Sequence, residues 1–265
     1  MQKEPNYLGT TVVKIGGSTL GEHDTTLHDL VALQKEGASP VVVHGGGKII
    51  SDWMTKQGIR ATFKDGLRVT DKASLEIVVA VLGGLINKEL VRDLNKLGAR
   101  AAGISGADAG LLRAVIKDPD LGYVGSVTHV NPLIIETVIA AGCIPVIAPV
   151  ATAVDDDPDI SGSLLNINAD TAAGEIAAAL NASRLIFLTD VEGVLDSSRR
   201  LIPRLTERQA QELIRSQVIA GGMIPKIEAC LQALRDGGNS QIIDGRLPGA
   251  LRASLNGKPM GTQIG

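Results

Sequence analysis

The amino-acid sequence predicts an α/β fold, a mainly parallel sheet with helices on both of its faces. Three observations point there. Short apolar runs rich in β-branched residues alternate with longer stretches of helical periodicity along most of the 265 residues. The chain is 44% hydrophobic but 2% aromatic, so Val, Ile, Leu and Ala must build the core, a composition that suits strands buried on both faces. Two glycine clusters, Gly16-Gly17 and Gly45-Gly46-Gly47, each close one of the apolar runs.

Thr10 to Ile15 reads as the first strand, and a helix follows from about Thr25 to Glu36. Pro40 to His44 reads as the second strand, followed by a helical pattern through Gln57. A longer helix is expected from about Lys72 to Leu97. Further strands are expected near Ala99 to Ile104, Ile144 to Pro149, Leu185 to Thr189 and Gln241 to Ile243, with helical patterns between most of them. Arg60 to Thr70 and Leu111 to His129 read as hairpins with Gly and Asp-Pro turns, and Asp155 to Ser163 as a polar loop. Such insertions at strand ends are where open α/β sheets bind ligands. Without a long linker or an internal repeat, residues 1–265 read as one domain, with two lobes expected over 1–180 and 181–265.

A formal net charge of -3 and few aromatics argue against a nucleic-acid partner, which would call for a basic face or stacking platforms. Cys143 and Cys230 lack metal-ligand spacing and read as buried thiols. The first residues carry no apolar signal core, and no run approaches a membrane span, so the cytoplasm is the expected location and no membrane is expected as a partner. His44-Gly45-Gly46-Gly47-Lys48 hints at a phosphate loop but fails the full pattern, because Val42 and Ile49 stand where Gly and Ser or Thr belong. Asp155-Asp156-Asp157-Pro158-Asp159 lacks the turn Gly and the bidentate Glu of a calcium loop. No metal ligands are assigned.

Glycines let backbone amides converge on an anion, and a helix starting just after each cluster would add its own N-terminal amides. Two clusters on adjacent strands therefore point to a polyanion site, against the plainer reading of two tight turns. Lys14 lies inside an apolar strand, where its charge needs a negative partner unless the strand is an edge facing water. Lys226 falls in the first turn of an expected helix, where a cation is disfavoured without an anion nearby. Asn166, Asn168 and Asp170 alternate at another helix start, more polar groups than one cap uses. Arg68, in Gly66-Leu67-Arg68-Val69-Thr70-Asp71, is either a surface arginine or a fork for a carboxylate, and Thr70 or Asp71 looks like the cap of the next helix.

Taken in order, VVKIGGS, VVVHGGG, GLRVTD, LLNINADTAA, LTDVEGVLD and GGMIPK resemble the amino-acid kinase family from about Val12 to the C-terminus. GLRVTD and the closing GKPMGTQIG are most similar to its acetylglutamate kinase branch. The resemblance implies a three-layer α/β/α sandwich, the amino-acid kinase fold. It implies an N-terminal lobe for acetylglutamate and dimerisation and a C-terminal lobe for ATP. The implied reaction is transfer of the ATP γ-phosphoryl group to the γ-carboxylate of N-acetyl-L-glutamate, the second step of arginine biosynthesis. Lys14 and Lys226 match lysines that offset charge on the transferring group, and Asp170 matches the aspartate that orients them. Gly46, Gly47, Arg68, Asn166 and Asn168 match the acceptor site. Gly16, Gly17, Asp190, Val191, Glu192, Gly193, Val194, Leu195, Val218, Ile219 and Ala220 match segments around the nucleotide. Gly221 stands where some relatives carry Asp. ATP would enter with Mg²⁺ riding on its phosphates rather than in a protein cage.

A γ-carboxylate is already ionised at neutral pH, so the absence of a candidate histidine base fits this chemistry. Two alternatives stay open: an aminoadipate-carrier kinase of lysine biosynthesis, and a non-catalytic nucleotide or metabolite sensor on the same fold. The segment before the first strand, broken by Pro5 and Gly9, is too short for a stable helix of roughly 12 residues. Since arginine-inhibited members are hexamers interlaced by such a helix, a homodimer insensitive to arginine is expected, joined around the helix from Lys72 to Leu97.

Overall fold

The computed structural model describes residues 9–16, 25–154, 157–234 and 238–265. β1 (Thr11–Ile15) leads to α1 (Thr26–Lys35), and β2 (Pro40–His44) passes almost directly into α2 (Gly47–Lys56). The hairpin of β3 (Phe63–Lys64) and β4 (Leu67–Arg68) precedes α3 (Lys72–Val79), a π-helical segment (Ala80–Ile86) and α4 (Asn87–Lys96). Next come β5 (Ala101–Ser105), the hairpin of β6 (Leu112–Ile116) and β7 (Gly125–Val130), α5 (Leu133–Ala140), β8 (Ile144–Ala148), β9 (Val150–Ala153) and β10 (Leu164–Asn166). The remainder is α6 (Ala169–Ala179), β11 (Arg184–Thr189), β12 (Arg204–Leu205), α7 (Glu207–Arg215), α8 (Met223–Leu234), β13 (Asn239–Asp244), α9 (Ala250–Leu255) and β14 (Thr262–Ile264).

The main sheet has eight strands in the order β12-β14-β13-β11-β1-β2-β8-β5. Its six inner and N-terminal strands are parallel; β14 runs antiparallel to β13, and β12 follows β14. Every residue of β1, β2 and β8 is buried, because the period-two alternation sends apolar side chains to both faces. Val12, Val43, Leu185 and Phe187 join the core under α6 and α8. Val13, Ile15, Val42, Ile186 and Leu188 join the core under α1, α9 and the α3–α4 run. Helices on both faces of the sheet make the three layers of the expected sandwich.

The expected strands are present, most with limits within one or two residues of those expected. β5 starts at Ala101 rather than Ala99, because Gly98, at φ +89°, ends α4 in a left-handed turn that consumes the intervening residues. The expected helix from Lys72 to Leu97 is continuous in backbone conformation but takes π geometry over Ala80–Ile86, around Gly83 and Gly84. The hairpin of β6 and β7 combines with β9 and β10 into a second, four-stranded sheet that the sequence pattern did not announce. Among the described residues, no helix is long and apolar enough to cross a membrane.

Candidate active site

The strand order turns back between β1 and β11: the chain winds outward from β1 in one direction and from β11 in the other. Ligands of open α/β sheets bind beyond the carboxyl ends of the strands at such a reversal. Lys14 lies on β1 next to that point and is 7% exposed. The edge-strand reading of Lys14 is thereby excluded. Its side chain shares the face of Val12, beneath α6, and its Nζ meets Asp170 Oδ1 at 2.8 Å. Lys226, in the first turn of α8, donates to Asp170 Oδ2 at 2.8 Å and to the Gly222 carbonyl at 3.2 Å. Burial alone would push the Asp170 carboxyl up; the charges of Lys14 and Lys226 and their hydrogen bonds outweigh it and hold the group below its ordinary value. Two cations thus share one buried anion, and the centre keeps a positive excess suited to phosphate oxygens.

The helix ends supply the rest. Asn168 caps α6, its Oδ1 accepting from the N–H groups of Asp170 and Thr171 at 2.9 and 3.1 Å. That bond sets the first turn of α6 and with it the height of Asp170. Asp71, rather than Thr70, caps α3 by accepting from the Ser74 N–H at 2.8 Å. Thr70 instead accepts from Asn166 Nδ2 at 3.1 Å and donates to the Arg68 carbonyl at 2.9 Å. Arg68 is buried: its Nη2 donates to the Gly47 carbonyl at 2.8 Å and to Ser51 Oγ at 2.9 Å, and Phe63 covers its guanidinium at 4.8 Å. The plain surface-arginine reading does not hold.

A pocket of about 220 Å³ has Lys14, Gly46, Gly47, Arg68, Asn166, Asn168 and Asp170 in its lining, with Ile50, Phe63 and Leu82 as apolar wall. The second glycine cluster opens α2 as expected. The helix described after the first cluster begins at Thr26, and Gly17 lies outside the described residues. The Gly16 N–H bonds to the Leu188 carbonyl at 3.3 Å, prolonging the ladder between β1 and β11.

The remaining positions lie in the C-terminal half. Asp190 to Leu195 follow β11 at the same sheet edge, and Gly193 is closed against Thr262, where a Cβ would stand 2.7 Å from Oγ1. Val194 and Ile219 are buried in the core, which leaves only their backbone to any ligand, whereas Val191, Leu195 and Ala220 are exposed. Val218 is half-buried, and Asp190 and Glu192 are exposed. These two segments lie outside the lining of the Lys14 pocket. Sequence reasoning missed Ser51, Phe63 and Met54 around Arg68, which carry no motif and converge through the turn of α2 and the hairpin.

A nearly all-parallel sheet with two glycine-flanked strands and a shared-carboxylate lysine pair defines a phosphotransferase-type site. The chain belongs to the amino acid kinase family, whose model matches residues 9–244. It is 46% identical over 249 residues to an acetylglutamate kinase of Cereibacter sphaeroides, covering 92% of this chain and 83% of that one. To an acetylglutamate kinase of Dehalococcoides mccartyi it is 44% identical over 253 residues, covering 96% and 93%. Among solved structures, smu.665 of Streptococcus mutans UA159 superposes with a TM-score of 0.82 at 33% identity, covering 96% of this chain and 98% of that one.

Proposed function

We propose that this enzyme phosphorylates the γ-carboxylate of N-acetyl-L-glutamate with ATP, giving N-acetyl-L-glutamyl 5-phosphate and ADP, the second step of arginine biosynthesis, in the cytoplasm. The observation that carries the reading is the shared carboxylate of Asp170, which holds Lys14 and Lys226 beside the pocket containing the Arg68 fork. Arg68, Asn166 and Asn168 hold the α-carboxylate end of the acceptor. Gly46 and Gly47 receive its γ-carboxylate through their amides. Lys14 and Lys226 offset charge on the phosphoryl group in flight. The reaction needs two anions aligned and neutralised rather than a base.

ATP enters with Mg²⁺, which supplies further charge neutralisation to its phosphates. Asp170, the carboxylate in the pocket lining, is already shared by two lysines, so the ion's ligands come from phosphate and water. Gly16, Gly17, Asp190 to Leu195 and Val218 to Ala220 surround the nucleotide. The sheet order supports a division into an acceptor lobe over 1–180 and a nucleotide lobe over 181–265, since β1, β2, β5 and β8 form one half of the sheet and β11 to β14 the other. The pair of subunits forms across the α3–α4 run, where Leu75, Val79 and Leu85 are half-exposed and Ala80 and Gly84 exposed.

A coupled ADP-release assay over N-acetylglutamate, glutamate, aspartate and carbamate tests the reading. Turnover is expected with N-acetylglutamate and little with the other three; preference for another acceptor, or none, overturns it.

A further inference from the structure

The chemistry above leaves unused a buried histidine that immediately precedes the glycine turn. Resting on that reading of the site, we propose that His44 is a positioning residue that holds the Gly45 carbonyl and so aims the Gly46 N–H into the acceptor pocket.

His44 ends β2 and is 1% exposed. Its Nδ1 lies 3.1 Å from the Gly45 carbonyl and its Nε2 3.3 Å from Asn87 Nδ2. The surroundings of Asn87 decide the tautomer. Asn87 Nδ2 also faces the carbonyls of Val146 at 2.9 Å and Ile104 at 3.2 Å, while its Oδ1 accepts from Lys88 Nζ at 3.0 Å. The amide nitrogen therefore points inward, and with its two hydrogens shared among these acceptors it offers Nε2 nothing to donate to. The Gly45 carbonyl can only accept, so the proton sits on Nδ1, donating to Gly45. Burial, with Lys14 and Lys88 adding to it, lowers the ring to about 4 against the opposing effect of the Gly45 bond, so the ring is neutral at physiological pH.

The described backbone has no cis peptide bond. In a trans peptide the carbonyl and the following N–H point in opposite directions. A Gly45 carbonyl turned to His44 therefore turns the Gly46 N–H the other way. Among the described residues, neither the Gly46 nor the Gly47 N–H meets an acceptor, and both residues line the pocket with Lys14 and Arg68. The π-helical segment closes the arrangement from the far side. A Cβ on Gly46 would collide with Ile86 Cδ1 and Leu82 Cδ2, and Asn87 is the residue next after that segment. One irregular helical turn thus both presses on Gly46 and anchors its histidine.

Two substitutions separate the two bonds of the ring. His44→Asn places an amide nitrogen where Nδ1 stands and can keep the Gly45 bond; His44→Gln reaches the position of Nε2 beside Asn87 instead and leaves the Gly45 carbonyl unmet. Loss of one oxyanion-type donor costs about 10²–10³ in rate, so kcat is expected to fall about tenfold or more in His44→Gln and about threefold or less in His44→Asn, with the KM for ATP within about twofold in both. Equal losses, or the reverse order, overturn the proposal and make His44 a packing residue. The comparison is run on whichever of the four acceptors the wild type turns over fastest, so failure of the acetylglutamate reading is seen separately in the wild-type assay. Glycine-selective ¹⁵N spectra of the wild-type enzyme give a measure independent of how the variants fold. The Gly46 amide is expected to shift when that acceptor is added with a non-hydrolysable ATP analogue, and a Gly46 amide that stays unmoved overturns the proposal.

Discussion

An ammonium group taken into a protein core costs several kcal/mol unless an anion meets it, and Lys14 is met by Asp170 within a side-chain exposure of 9%. Lys14→Ala and Lys226→Ala should each lower kcat by about 10²–10³, as loss of an oriented donor does, with a smaller change in the acetylglutamate KM; steady-state kinetics that left kcat near normal would remove that lysine from the phosphoryl site. Arg68→Lys retains the charge but loses the fork that Gly47, Ser51 and Phe63 hold in place. Its KM for acetylglutamate should rise strongly while that for ATP stays put, and equal effects on both substrates would exclude Arg68 from the acceptor site. His44 gives a stability prediction. Its folded-state pKa of about 4 lies below the ordinary 6.5, so between those values the unfolded chain binds the extra proton. Stability should be unaffected by this group above pH 6.5 and fall as pH drops from 6.5 to 4, by roughly 3 kcal/mol in all. Urea unfolding of wild type and His44→Asn across that range checks it, since the variant should lack that component of the slope.

The helices α6 and α8 together carry the aspartate and one of its lysines, so their spacing is part of the site. Gly174 sits one turn beyond Asp170 on α6, and a Cβ there would stand 2.8 Å from the Cα of Ala229 on α8. The glycine is a close-approach position, not a flexible one. Gly174→Val should therefore overpack the contact and cost about 1–3 kcal/mol. Because the wedge lies about one turn along both helices from the Asp170–Lys226 pair, kcat should drop as well. A thermal melt and a kcat measured on the folded variant test this together; normal turnover in a destabilised protein would show that the helix spacing does not set the lysine geometry. The capping of α6 by Asn168 makes the same point, since one side chain both ends the loop from β10 and seats Asp170.

The eight-stranded sheet makes one continuous frame of the two halves of the chain, with β1 and β11 at its centre. The proposed homodimer is tested by light scattering on a size-exclusion column, with and without millimolar arginine. A dimer mass and activity little changed by arginine are expected; a hexamer mass or strong arginine inhibition would contradict both expectations. A monomer would return Leu75, Val79 and Leu85 to an ordinary exposed helix face.

Much of this architecture was legible as pattern. β2 spans Pro40 to His44 as read from the sequence, and β1 and β11 differ from their expected limits by one residue, because runs buried on both faces have no polar alternation to blur their ends. β9, β10, β12 and β14 were not expected as strands: they are two to four residues long, and their pairing is decided by neighbours distant in sequence. At the site, residue chemistry and order identified Lys14, Arg68, Asp170 and Lys226 as candidates, since a charge in an apolar strand or at a helix start is conspicuous in one dimension. That Asp170 lies between the two lysines, that Phe63 covers Arg68 and that His44 bonds toward Asn87 depend on distances between residues as far apart in sequence as Lys14 and Asp170. Such distances follow from how the sheet and its helices pack, and nothing in the local order of residues encodes them.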